Sequence, residues 1–153
     1  MRLIPFMAVL TSTAPAEIHG VVFNDYEPWF VATDAVNIDL CEWYGGDQIG
    51  FHAGDKVVLT TGDGLGRMTD STDVEADVWV TSLNYVVGVL LTEDPWLVHT
   101  KNDKLYRASW VEGQSVGFHV DDRVILSTSS GSGYMLKVGG SGTVAKVEIE
   151  QME

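Results

Sequence analysis

Basic residues, cysteine and proline are scarce in this chain, and no apolar run reaches the ~20 residues of a membrane span. Nine Lys/Arg stand against 22 Asp/Glu in 153 residues, a net charge of -13. Sequence-independent nucleic-acid binding works by cations replacing counterions at phosphates, so this balance argues against it. It argues equally against an anionic membrane surface. The deficit is uneven: residues 1–80 carry thirteen acids and three basic residues, and residues 81–153 carry nine and six. Basic partner surfaces or divalent cations suit the first half better, and solubility is the plainer use of the charge. The single cysteine, Cys41, excludes an intrachain disulfide framework and a Cys-rich zinc site. Its apolar surroundings predict a buried, inert thiol. Four prolines beside 16 glycines indicate tight turns and not a disordered linker.

Catalytic signatures are missing too. The Gly-rich stretches Thr61–Gly66 and Ser127–Gly133 lack the Lys and the following helix of a phosphate-cradling loop. There is no G-x-S-x-G elbow. The acids Asp63, Asp70, Asp73, Glu75 and Asp77 lack the spacing of a twelve-residue calcium loop and read as a solvated face. The 22 acids permit a glycosidase-like carboxylate pair without pointing to one. The expectation is a protein that is not an enzyme and needs neither cofactor nor metal.

What is present is a repeat. Gly50-Phe51-His52-Ala53-Gly54-Asp55-Lys56-Val57-Val58-Leu59-Thr60-Thr61 returns 67 residues later as Gly117-Phe118-His119-Val120-Asp121-Asp122-Arg123-Val124-Ile125-Leu126-Ser127-Thr128. Residues 18–68 aligned with 85–135 share 17 of 51 positions, which marks an internal duplication. The organisation expected is an N-terminal strand or arm over 1–17, a first repeat over 18–81 and a second over 82–153. Each unit is marginal by itself, burying only about 60% of its unfolded surface. A hydrophobic interface shared by the two is therefore expected.

Short segments rich in Val, Ile, Leu, Thr and aromatics, punctuated by Gly, Asp and Asn, predict strands and turns. In the first copy they fall at Ile18–Asn24, Trp29–Thr33, Asn37–Tyr44, Lys56–Thr61 and Val74–Val80. In the second they fall at Tyr85–Leu91, Trp96–Thr100, Leu105–Val111, Arg123–Thr128 and Thr143–Ile149, with short extra strands at Gly66–Met68 and Tyr134–Val138. Arg2, the run Leu3–Leu10 and Ala14-Pro15-Ala16 loosely fit a signal peptide. Pro5 interrupts that run, and an added strand at Leu3–Thr11 is the preferred reading.

Three meandering strands, a longer connection and a hairpin-like pair resemble the OB-fold order. The phrase Gly142-Thr143-Val144-Ala145-Lys146-Val147-Glu148-Ile149 resembles the last strand of small bacterial OB-like barrels, and SH3-like barrels use the same short strands and turns. The fold class is all-β, with two tandem small β-barrels, OB-like or SH3-like. The resemblance rests on generic positions and carries no functional residue across.

His52 with Asp55 and His119 with Asp122 are each too few ligands for a closed metal site. A third ligand would have to come from elsewhere, such as His19 or His99, neither of which has a counterpart in the other copy. The structural reading has Phe51 and Phe118 plugging the barrels and Asp55 and Asp122 capping a turn. Gly54 and Asp121 tolerate positive φ there, and His52 and His119 hydrogen-bond backbone. Glu27-Pro28-Trp29 and Asp94-Pro95-Trp96 read as strand starts. Core is the expected place for Trp43 and Trp110, and also for Trp29 and Trp96. The last two are also the binding candidates, since rings on an open barrel face stack sugars or bases. Val58 and Ile125 make the fourth strand apolar on both faces, so they are expected to be covered by the other copy or a partner.

These features favour a non-enzymatic interaction or structural protein that binds a protein partner or self-assembles as an oligomer. An accessory or decoration subunit of a virus (phage) particle is the example. A cytoplasmic or virion location is favoured over secretion. The alternatives are a small-ligand or glycan-binding tandem module and an acidic inhibitor that mimics nucleic acid.

Overall fold

The computed structural model describes residues 16–33, 37–62, 64–127, 132–139 and 142–152. The strand expected at Leu3–Thr11 lies outside them, as do Asp63 and Thr128. Among the described residues there are strands and turns and no helix. The first unit contains β1 (Ala16–Val22), β2 (Trp29–Thr33), β3 (Ile38–Gly46), β4 (Lys56–Gly62), β5 (Leu65–Asp70) and β6 (Glu75–Leu83). The second repeats them as β7 (Tyr85–Glu93), β8 (Trp96–Thr100), β9 (Leu105–Gly113), β10 (Arg123–Ser127), β11 (Ser132–Lys137) and β12 (Val144–Met152). One compact unit reaches Thr81 and the other begins at Ser82, with Phe23–Asp25 grouped in the second.

Each unit closes into a six-stranded antiparallel barrel. The order is β1-β2-β3-β6-β5-β4 in the first and the same, β7-β8-β9-β12-β11-β10, in the second. Closure comes from β4 pairing back on β1, and from β10 pairing back on β7. It leaves no row of unpaired backbone groups at a sheet edge. An OB-fold closes with five strands; here the short strand expected at 66–68 and at 134–138 is a full member, and the connection between the third and fourth strands holds turns only.

Alternation along the strands fills each barrel. In β4 Val57 and Leu59 point inward, and in β10 Val124 and Leu126 do so. The first core adds Trp29, Val31, Cys41, Phe51, Met68 and Val78. The second uses Trp96, Val98, Ala108, Phe118, Met135 and Val147. Both copies place a glycine in the first strand, Gly20 and Gly88, where the backbone of the next strand comes close. A Cβ at Gly20 would come within 2.8 Å of the Ala32 carbonyl oxygen, and one at Gly88 within 2.6 Å of the His99 carbonyl oxygen. Backbone approaches that close admit only glycine.

The outward faces are not uniformly polar. Val58 and Ile125 are half-buried. Phe30, Ile38 and Leu40 on β2–β3 and Leu136 on β11 face away from the cores by register and are buried all the same.

Candidate recognition surfaces

The duplicated turn is the first place where site residues meet. In each copy the His backbone N–H donates to the Asp carboxylate three residues on, His52 to Asp55 at 2.9 Å and His119 to Asp122 at 2.7 Å. The return bond runs from the Asp N–H to the His carbonyl oxygen. Gly54 and Asp121 have φ of 94° and 75°, the left-handed conformation expected from their residue types. Phe51 packs edge-on against Trp29 with ring centres 5.0 Å apart, and Phe118 against Trp96 at 5.1 Å. The imidazoles do not bond backbone as expected: both are exposed, and Nδ1 of His119 lies 3.9 Å from Glu93. His19 and His99 lie next to single carboxylates, Glu17 at 3.6 Å and Asp103 at 2.8 Å. Among the described residues no three His, Cys, Asp or Glu are grouped to hold a metal.

The turn differs between the copies in charge. Lys137 Nζ lies 3.3 Å from Asp122 and donates to the Gly117 carbonyl oxygen. The His119 N–H bond, helped by Lys137, holds the Asp122 carboxyl below the usual carboxylate range. By strand register the position of Lys137 is taken in the first copy by Asp70. Partial burial pushes the Asp70 carboxyl up, but hydrogen bonds from Thr72 and Val74 outweigh it and leave it lowered. That carboxylate closes the β5–β6 turn, accepting the Thr72 N–H at 2.8 Å and the Val74 N–H at 3.0 Å. Glu75 and Asp77 flank Arg67 at 3.6 and 3.2 Å. Three members of the acidic run thus serve the local fold. Burial, with the Asp39 charge beside it, pushes the Cys41 thiol up to about 12, which disfavours the thiolate.

Trp29 and Trp96 do not lie on an open face. Trp29 is fully buried and Trp96 is 7% exposed, because each starts β2 or β8 on its inward side. Trp29 is closed to stacking, and Trp96 shows only that small part of its surface, at the wall of the cleft in the second barrel. The Trp29 indole N–H has no hydrogen-bond partner among the described residues.

The accessible aromatics are elsewhere. On the outer face of β3 and β6, Tyr44 and Trp79 lean on each other with ring centres 5.4 Å apart. They are 47% and 49% exposed, and Leu65, the cross-strand partner of Trp79, is 40% exposed. Around them stand Glu42, Arg67, Glu75 and Asp77. In the second barrel the matching positions are Val111, Glu148 and Ser132, so the patch belongs to one copy. The break in the repeat at Tyr44 and Trp79 was its sequence signal.

The second barrel has a cleft of about 500 Å³ against the β7–β8 hairpin and β9. Trp110 lines it with half of its surface exposed, whereas its equivalent Trp43 is half-buried against the first core. Neither a protein-family model, nor a curated protein, nor a solved structure matches the chain.

Proposed function

We propose that the chain is a non-enzymatic interaction protein, one subunit of a larger assembly, docking through the Tyr44–Trp79–Leu65 patch. The observation that carries this is the exposed aromatic pair in one copy of a duplicated barrel. The second barrel has the same strand order without those rings, so closing a barrel does not require them. Aromatic residues of this kind are the usual anchors of protein interfaces. The rim holds three carboxylates against Arg67, which favours a partner with an apolar socket and a basic rim over a second copy of a chain of charge -13. An accessory or decoration protein of a virus particle would use such a surface.

Sedimentation in an extract of the native cells tests the reading. The wild type should travel in a complex, and Trp79→Glu, which installs the residue of the second barrel, should travel as the free chain. Partner association should also slow as salt is added, because the acidic rim steers it. Equal sedimentation of wild type and variant would end this proposal, and a homogeneous self-oligomer would replace the basic partner with a second copy.

A further inference from the structure

We propose that the cleft of the second barrel binds a neutral pyranose unit of a glycan. This is a site separate from the protein-docking patch and rests on different residues. Its volume, about 500 Å³, lies within the range of small-ligand sites. Trp110, Arg107, Glu93, Asp94, Ser109 and Ser115 line it.

The chemistry follows from that mixture. The Trp110 indole N–H donates to the Gly113 carbonyl oxygen at 3.3 Å, which fixes the ring while half of it stays exposed. The face of an indole is electron-rich and attracts the weakly positive C–H bonds that cover one side of a pyranose ring. Around it stand one guanidinium, two carboxylates and two hydroxyls, an array that both donates and accepts. Vicinal sugar hydroxyls need both. Among the described residues Arg107 forms no ion pair. Two carboxylates disfavour an anionic ligand, and Arg107 disfavours a cationic one.

Two strand irregularities shape the walls. The β7–β8 register slips at Leu91, just before Glu93, and the β9–β12 register slips at Val111, just after Trp110. Bulges re-aim the side chains beside them and recur next to binding sites. The first barrel lacks the constellation: Leu40 stands for Arg107, Glu42 for Ser109 and Gln48 for Ser115.

An NMR titration of the whole chain with cellohexaose, maltohexaose and chitohexaose tests the proposal. At millimolar concentration at least one sugar should shift the Trp110 indole N–H and the backbone amides of Glu93, Asp94, Trp96 and residues 107–115. Arg107→Leu, the residue the first barrel carries, and Trp110→Ala should each weaken binding by roughly tenfold or more. Their spectra should otherwise keep their dispersion, and Trp79→Glu should bind as the wild type. No shift with any sugar, shifts confined to other residues, or wild-type binding by Arg107→Leu would overturn it. So would binding of polygalacturonate or chitosan oligomers in preference to all three neutral sugars.

Discussion

The two barrels share a strand order, a glycine in the first strand where the next strand comes close, a Phe–Trp plug and a His–x–x–Asp turn, yet they differ on their outer surfaces. The first exposes Tyr44 and Trp79 within the more acidic half of the sequence. The second replaces those rings with Val111 and Glu148 and opens a cleft beside Trp110. Inside, matching positions stay apolar because the inward side chains of a closed barrel have no contact with water, even where the residue itself changes, as from Cys41 to Ala108. Outside, nothing in the fold dictates the residue, so divergence between copies marks where interaction is to be sought.

The largest expected effect tests the shared interior. Phe51→Ala and Phe118→Ala should each cost about 3–5 kcal/mol, since each empties a buried ring site against a tryptophan. Denaturant unfolding with probes in each barrel would measure both. A cost near zero in one copy would show that the plug is not equivalent. Next, Trp79→Glu should abolish assembly and leave the unfolding free energy within about 0.5 kcal/mol, as surface changes do; sedimentation and thermal melting read the two effects.

A smaller effect separates the turns. Asp122→Asn should cost about 1 kcal/mol near neutral pH, because it weakens the bond from His119 and removes the charge facing Lys137. The folded carboxyl titrates below its unfolded value, so its stabilisation is present above the unfolded pKa and is lost as pH falls through the folded one. Wild type and variant should therefore converge in acid, and a gap that widens there would contradict the assignment. The smallest change concerns the left-handed position. Asp121→Gly should stabilise the second barrel by about 0.5 kcal/mol, whereas Gly54→Asp should destabilise the first by a similar amount. Urea midpoints would resolve both.

The scaffold was largely legible because its signals are local and duplicated. Gly54 and Asp121 are chemically unlike, yet both accept positive φ, and that was enough to place a turn. Trp29–Thr33 and Trp96–Thr100 begin and end where the proline and the next turn residues put them. The last strands run further than expected, to Leu83 and Met152; in the second barrel the added residues pair with the start of β9, remote in sequence. The surfaces were less legible. An exposed tryptophan and a core tryptophan look alike when both sit in alternating strands, so Trp29 and Trp96 were candidate stacking rings and Trp110 a core residue. Trp110 stands beside the register slip at Val111, and a slip is a property of two strands that a single strand's pattern does not contain.

The proposed division of labour puts protein docking on the first barrel and sugar binding on the second, over interiors of the same plan. Sedimentation of wild type, Trp79→Glu and Trp110→Ala side by side in native extract tests it most directly. Wild type and Trp110→Ala should travel in a complex, while Trp79→Glu should travel as a free chain of 16.7 kDa. Loss of the complex by both variants, or by neither, would contradict it.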